Sequence, residues 1–245
     1  MYSEHAFSYY SVVVLVVAYS VMGAGKRTQK VSALDALNDS SLAINNPFTP
    51  FRVCETTKSD DEGPFYKVYA PIYKMEDLEN VGRIEVCKTN VTYGRLLLNG
   101  TIRQSSYENP CGKPVRAMVE VWQANSHGLY SDVSWSSGDY TCRARLITGS
   151  DGFYSFATQY PGRYRYNMTG PFRPAHVHFR ITPLDDNYEA TGNSLITALY
   201  FHPDIFLRPN DGCTFCRSNE PSLGIYASNK RDLTTLEGTW DVLLA

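Results

Sequence analysis

Arg173-Pro174-Ala175-His176-Val177-His178-Phe179 is a short run that alternates apolar side chains with histidines. Side chains two residues apart on a β-strand share a face, so His176 and His178 are predicted to point the same way. The odd-numbered residues from Ala175 to Ile181 form the opposite, apolar face. A histidine that merely filled the core would lie on that apolar face. The run therefore predicts a β-strand that offers two imidazoles to a metal, and the simpler interpretation is a solvent-facing strand with incidental histidines.

The same two-residue period recurs elsewhere and defines the fold class. Val115 to Gln123 alternates in this way, and Leu195 to Phe201 is a further apolar run. Asn99-Gly100 is a turn signal within Tyr93 to Gln104, and Asp151-Gly152 is a second turn signal. No long segment has a helical period, and no internal repeat is present. These features predict an all-β fold, an antiparallel β-sandwich with irregular loops and a C-terminal tail.

The first 25 residues are predicted to be a secretory signal peptide. Ser11 to Ala18 is an apolar run that leads to the small residues Gly23-Ala24-Gly25 and then to Lys26. The run is shorter than the roughly 20 residues that span a bilayer, which favours a cleaved signal over a membrane anchor, although no Lys or Arg precedes it. We therefore expect a secreted protein without stable membrane association. Residues 26–53 are predicted as an N-terminal arm, residues 54–208 as the β-sandwich domain and residues 209–245 as a tail wrapping that domain.

The cysteines and the glycosylation sequons agree with secretion. All six cysteines follow the predicted cleavage zone, and they are Cys54, Cys87, Cys111, Cys142, Cys213 and Cys216. An even number in an oxidising compartment predicts three disulfides, with the pairing left open. The pair at 213 and 216 favours a local disulfide over a redox or zinc site, since no second pair of zinc-like spacing accompanies it. Acceptor sequons occur at Asn38, Asn90, Asn99 and Asn167, which predicts a glycoprotein.

Length and charge exclude some functions. The chain has 245 residues and a net charge of −2, and its basic residues are scattered, so there is no electrostatic footprint for nucleic acid. The length suits one catalytic domain with extensions. Tyrosine is abundant at 18 residues, and phenols are possible iron ligands.

Several segments around the histidine strand combine into a recognisable order. They are Glu62-Gly63-Pro64-Phe65-Tyr66, Val119 to Asn125 running into Gly128-Leu129-Tyr130, Asp151 to Phe156, Pro161-Gly162-Arg163-Tyr164, Arg173 to Phe179 and Leu199-Tyr200-Phe201. In this order and spacing they closely resemble the intradiol ring-cleavage dioxygenases, the family of catechol and protocatechuate dioxygenases. The resemblance covers about residues 62 to 204 and makes residues 54–208 the catalytic domain.

The resemblance implies a mononuclear Fe(III) site with two tyrosinates and two histidines. The matching residues, in chain order, are Tyr130, Tyr164, His176 and His178. Phenolate is a hard anionic ligand, so two of them favour Fe(III) over Fe(II), and imidazole also suits iron. From the residues alone, the tyrosines at 154, 160 and 166 remain alternative ligands.

The resemblance also implies the reaction. A catechol and O2 would be the substrates, and cleavage between the two hydroxylated carbons would give a cis,cis-muconate-type diacid. Tyr164 is expected to leave the iron and take up a catechol proton. Arg173 is expected to stabilise negative charge on the substrate, which suits its permanently charged guanidinium.

Two departures from the family pattern bear on substrate and assembly. Ala198 stands where the family often has a glutamine that orients substrate, and its small side chain could widen the pocket for bulkier catechols. Bacterial members carry a helical N-terminal domain that forms their dimer, whereas residues 26–53 lack helical periodicity. We therefore expect a monomer.

Two other functions remain open from the sequence. The first is a non-catalytic secreted β-sandwich that binds catechols or other small ligands, which the alanine at 198 favours. The second is a zinc or copper protein built on the histidine pair. That site lacks an obvious third histidine. His127 is close to Tyr130 in the sequence, but it lies on a predicted turn.

Overall fold

The computed structural model describes residues 54–77, 84–88, 94–134, 136–165, 169–229 and 234–245. The predicted signal peptide and N-terminal arm lie outside these ranges, as do the sequons at 38, 90 and 167 and the tyrosine at 166. Within the described ranges, no helix is long and apolar enough to cross a membrane.

The described residues form strands joined by loops and two short 3₁₀ turns, Met75–Asp77 and Pro221–Leu223. The strands are β1 (Ile72–Lys74), β2 (Arg95–Gln104), β3 (Lys113–Pro114), β4 (Ala117–Gln123), β5 (Arg143–Ile147), β6 (Phe153–Gln159), β7 (Tyr164–Arg165), β8 (Phe172–Arg173), β9 (His176–Pro183), β10 (Leu195–His202), β11 (Gly224–Tyr226), β12 (Thr235–Thr239) and β13 (Val242–Leu244).

Two sheets form the predicted sandwich. The first has the order β1-β5-β4-β9-β10-β11, and its four central strands are antiparallel. The second is built around β2, which pairs antiparallel with β3 and β6 and parallel with β12 and β13. Parallel strands also edge the first sheet, where β1 pairs with β5 and β11 with β10. The prediction of an all-β antiparallel sandwich is confirmed, with parallel strands added at its edges.

The core lies between the inner faces of the two sheets. The apolar face of the histidine strand contributes Val177, Phe179 and Ile181, all fully buried. Phe179 meets Phe156 of the second sheet with ring centroids 6.4 Å apart. Complete burial of each such side chain stabilises the fold by roughly 1.5–3 kcal/mol. The outward face of β9 is thereby left to carry both histidines.

Asn99-Gly100, predicted as a turn, lies inside one continuous strand. β2 runs without interruption from Arg95 to Gln104. A Cβ at Gly100 would collide with the Trp240 carbonyl, so glycine is required here by a close approach of two backbones. The turn prediction was wrong because this approach involves residues that are distant in sequence.

Residues 209–245, predicted as a tail wrapping the domain, instead extend both sheets. They supply β11 to the first sheet and β12 and β13 to the second. Trp240 is fully buried and packs on Phe179 with ring centroids 4.9 Å apart. These strands have three to five residues each, too few to show a period in the sequence.

All six cysteines are paired. The disulfides join Cys54 to Cys111, Cys87 to Cys142 and Cys213 to Cys216. The expected number of three bridges and the local bridge are therefore confirmed.

Candidate metal centre

The histidine pair lies on β9, between β4 and β10. His176 is opposite Tyr200 of β10, and His178 is opposite Ala198 of β10 and Trp122 of β4. Both imidazoles are almost fully buried, and their Nε2 atoms are 3.1 Å apart. The predicted common face is therefore present, but it is enclosed by neighbouring loops rather than open to solvent.

Both histidines are held neutral. Burial, aided by the positive charge of Arg173, lowers the pKa of His176 well below its ordinary value and that of His178 to about 3. The His176 Nδ1 lies 2.7 Å from the Pro174 carbonyl oxygen, which can only accept, so Nδ1 carries the proton. The Nε2 lone pair of His176 is then free to bind a cation.

Two glycine turns bring the predicted tyrosines to the histidines. Gly128, with φ of +78°, precedes Tyr130, and a Cβ there would collide with the Arg163 carbonyl just before Tyr164. The Gly162 N–H donates to the Asn125 carbonyl at 2.9 Å. The two turns can touch backbone to backbone only because both lack a side chain at the contact.

One phenol reaches the imidazoles, and the other packs against the first. The Tyr164 Oη lies 3.4 Å from His176 Nε2, and the Tyr130 and Tyr164 ring centroids are 5.4 Å apart. The Tyr130 Oη is buried, interacts with the Tyr164 hydroxyl and makes no hydrogen bond of good geometry. Burial raises the pKa of both phenols, well above the ordinary value for Tyr130. In the metal-free protein both phenols are thus protonated at neutral pH, and a bound cation would displace their protons.

Aromatic side chains hold two of these groups in place. Phe65 stacks on Tyr130 with ring centroids 4.3 Å apart, and Trp122 stacks on His178 at 5.1 Å. Phe65 comes from the Glu62 to Tyr66 segment, which accounts for that segment in the sequence pattern.

Arg173 lies beside the phenols at the start of the histidine segment. It faces Tyr164 in the short β7–β8 ladder, and its side chain is fully buried. Its Nε is 3.3 Å from Asp211 Oδ1, and its Nη2 donates to Tyr200 Oη at 3.0 Å. Its Nη1 is buried without a partner. The positive charge of Arg173 lowers the pKa of Tyr164, in opposition to the larger effect of burial.

The cluster fits a ferric ion. Two buried phenols and two neutral imidazoles form a donor set of hard anionic oxygens and borderline nitrogens. The Tyr130 oxygen is buried without a hydrogen bond of good geometry, and the His176 and His178 Nε2 atoms face each other at 3.1 Å, where a bound cation would replace their mutual contact. Within the described ranges no three His, Cys, Asp or Glu side chains come together, so the donors that zinc or copper would prefer are not assembled there.

The other candidate side chains of the sequence lie elsewhere or outside the described residues. Tyr154 donates to the Trp240 carbonyl at 2.7 Å inside the core. Tyr160 packs on Phe201 with ring centroids 5.1 Å apart. His127 is exposed on the turn, and its ring Nδ1 lies 3.5 Å from Ser126 Oγ.

Sequence reasoning missed the residues that hold Arg173. Asp60 and Asp211 lie about 150 residues apart in the chain and neither belongs to a periodic segment. In the sequence Tyr200 stands out only as part of the Leu199-Tyr200-Phe201 segment. Arg143 was also missed, although it donates to Ser131 Oγ at 2.8 Å and to the Phe65 carbonyl and so joins the loops on both sides of Tyr130.

Acidification is expected to destabilise the metal-free protein through its histidines. The folded-state pKa of His178 is about 3, below the unfolded value near 6.5, so the unfolded chain binds the proton more readily. The contribution of His178 to stability is complete above about pH 6.5 and is lost as the pH falls towards about 3. Thermal unfolding between about pH 7 and about pH 4 should show a falling midpoint. A His178→Gln variant with the same slope as the parent would contradict this.

A dioxygenase family model matches residues 62–245 of the chain. Chlorocatechol 1,2-dioxygenase of Rhodococcus opacus is 30% identical over 177 residues, which are 66% of this chain and 62% of that protein. The protocatechuate 3,4-dioxygenase beta chain of Burkholderia cepacia is 33% identical over 146 residues, 57% of this chain and 60% of that protein. The chain thus spans less than two thirds of the length of these relatives.

Solved structures show the same fold. Catechol 1,2-dioxygenase from Acinetobacter sp. ADP1 superposes with a TM-score of 0.61 at 23% identity, covering 78% of this chain and 63% of that one. The dioxygenase domain of a carbohydrate-binding fusion protein from Streptomyces sp. SirexAA-E gives a TM-score of 0.55 at 23% identity, covering 78% and 98% respectively.

Proposed function

Since the chain belongs to the intradiol ring-cleavage dioxygenase family, we propose that it uses Fe(III) and O2 to cleave catechols between the two hydroxylated carbons. The product would be a cis,cis-muconate-type diacid. The observation that carries this proposal is the cluster of two buried phenols and two neutral imidazoles beside an arginine with a free N–H.

The ligands would be Tyr130, Tyr164, His176 and His178. When bound there, Fe(III) would activate the catechol ring towards O2. Tyr164 is suited to take a catechol proton, because burial raises its pKa and makes its phenolate a stronger base. Arg173 is suited to stabilise negative charge on the substrate, since it is buried and one of its nitrogens has no protein partner.

We infer that the substrate would lie near the position of Ala198. Cross-strand partners share a face, so Ala198 lies on the same face of the sheet as its partner His178. Its methyl group is fully buried, and it makes no polar contact where a glutamine would reach towards the site. This supports a preference for catechols that carry ring substituents.

Replacing Ala198 with glutamine is expected to restrict the pocket. The larger side chain should lower kcat/KM for ring-substituted catechols by about 10-fold, within the range for filling a pocket with extra methylene groups. Unsubstituted catechol should be affected less. Steady-state oxygen uptake with both substrates measures the ratio of their kcat/KM values. An Ala198→Ser variant is the control, because serine adds little volume. Equal effects on both substrates would refute the steric role.

We also propose that the protein is secreted, glycosylated and monomeric. The pairing of all six cysteines in disulfides supports an oxidising compartment. Asn99 lies on β2 with its side chain partly exposed, and its Oδ1 accepts from Thr239. Peptide mass spectrometry of protein from the culture medium would identify the mature N-terminus and any glycans, and light scattering that shows a stable dimer would refute the monomer.

Metal content and the visible spectrum of purified protein test the proposed activity. About one iron per chain, with a broad visible band that shifts when catechol is added and an oxygen-dependent ring-opened product, is the expected result. A protein that is still colourless after iron loading but binds catechol would favour the second candidate, a non-catalytic binding module. The alanine at 198 is the feature that favours that alternative.

A further inference from the structure

A series of buried hydrogen bonds holds the Arg173 guanidinium by Nε and Nη2, whereas Nη1 has no hydrogen bond. Arg173 Nε pairs with Asp211 Oδ1 at 3.3 Å, and Nη2 donates to Tyr200 Oη at 3.0 Å. The Tyr200 Oη donates in turn to Asp60 Oδ2 at 2.8 Å. Arg173, Tyr200 and Asp211 are each at most 4% exposed. Two directions of the guanidinium are thus occupied by protein oxygens.

One turn, closed by a disulfide, supports the carboxylates of both Asp60 and Asp211. The Cys213 N–H donates to Asp211 Oδ1 at 2.9 Å. At the other end of the turn, the Arg217 N–H lies 3.2 Å from Asp60 Oδ1 and 3.3 Å from Asp60 Oδ2. The Cys213–Cys216 bridge between them is buried. The backbone of a single five-residue segment therefore fixes two carboxylates that are about 150 residues apart in the chain.

We propose that the turn closed by the Cys213–Cys216 disulfide positions the Arg173 guanidinium for the substrate, through Asp211 on one side and through Asp60 and Tyr200 on the other. This inference rests on the proposed function. A guanidinium is rigid and planar, so holding Nε and Nη2 also fixes the direction of Nη1. Nη1 is the buried nitrogen without a partner, and it is the one left to meet the substrate.

The three side chains that link the turn to Arg173 are not themselves proposed iron ligands, although Arg173 lies against Tyr164 and Tyr200 against His176. Asp211 contacts Arg173 and the Cys213 N–H, and its Oδ2 has no partner. The Tyr200 ring packs on His176 with centroids 5.6 Å apart, a contact that a phenylalanine would keep. Loss of the Tyr200 hydroxyl or of the disulfide should therefore disturb the arginine without removing a metal ligand.

Three variants test this inference: Tyr200→Phe, Asp211→Asn and the double variant Cys213→Ser with Cys216→Ser. The control is the double variant Cys54→Ser with Cys111→Ser, which removes a disulfide whose neighbour is Arg103 on β2. Each protein is assayed for iron per chain, for the visible band, for kcat/KM per bound iron and for thermal unfolding. Its affinity for catechol is measured without O2, so that binding is observed without turnover.

We expect kcat/KM per iron to fall about 10- to 100-fold in the three variants, the usual effect of removing a residue that orients a functional group, with iron content unchanged. Anaerobic catechol affinity should weaken in the same variants and not in the control. The inference is wrong if the three variants match the parent in activity per iron and in catechol affinity. It is also wrong if every loss of activity can be explained by lost iron or lost thermal stability, as in the control.

Failure of the proposed function would be recognised separately. A parent protein that binds catechol but never opens its ring would refute the proposed activity. The anaerobic affinities alone would then decide the positioning role: weaker affinity in the three variants and not in the control supports it, and unchanged affinity refutes it. A parent that neither binds nor cleaves catechol refutes both.

Discussion

Replacing Tyr130 with phenylalanine is expected to abolish the visible band contributed by this ligand and to lower ring cleavage by about a thousandfold or more, since even an outer-shell partner of a metal typically costs about 10- to 100-fold. The substitution keeps the stacking on Phe65 and removes only the phenol oxygen. That oxygen is buried and makes no hydrogen bond of good geometry, its polar neighbour being the Tyr164 hydroxyl, so it should add little to the stability of the fold.

The stability of the metal-free Tyr130→Phe variant separates ligation from folding. Deleting a buried hydroxyl whose interaction with the Tyr164 hydroxyl is weak should change the thermal midpoint of the metal-free protein little. Iron content, the visible spectrum and oxygen uptake report the loss of function. Tyr160→Phe is the matched control, because Tyr160 lies a few residues before Tyr164 and packs on Phe201. Turnover at the parent rate in Tyr130→Phe would show that the ligand assignment is wrong.

Replacing Arg173 with glutamine is expected to lower kcat/KM by about 100- to 1,000-fold, the usual effect of removing a preorganised donor from a developing charge. It also leaves Asp211 as a buried carboxylate without its cation, which should destabilise the fold by about 3–5 kcal/mol. Arg173→Lys retains the charge but not the planar fork, so it should be less destabilising and nearly as inactive.

The double variant Arg173→Gln with Asp211→Asn distinguishes the two effects. Removing both charges should recover most of the lost stability, because no unpaired buried charge is left, while turnover stays low. Arg165→Gln is the control on the same short ladder, since Arg165 is exposed and donates to the Gly170 carbonyl. Recovery of turnover together with stability would show that Arg173 has only a structural role.

The two-residue period of the sequence was sufficient to predict much of the fold. The alternation in residues 173–181 predicted that the two histidines share a face and that Val177, Phe179 and Ile181 enter the core, and both are found. The period works because successive side chains of a strand point to opposite faces whatever lies on either side. The turn glycines at 128 and 162 were quoted only as part of a pattern, since their reason is a contact between two loops.

Prediction failed where the deciding contact joins distant segments. Asn99-Gly100 has the composition of a turn, but the approach of the Trp240 backbone makes it the middle of a strand. The final strands are too short to show a period, and pairing with β2 is what gives them structure.

The amino-acid sequence on its own predicted the class of fold, the pair of histidines on one face and the family, whose pattern proposes Tyr130 and Tyr164 among the tyrosines. These depend on neighbours in the chain, whose geometry is set by the backbone. Only the tertiary structure decided that the cluster is buried, how the other four cysteines pair, and how Tyr200 and Asp211 hold Arg173 with Asp60 behind Tyr200. Burial and long-range hydrogen bonds depend on how the sheets and loops pack, and the spacing of residues along the chain carries no record of that packing.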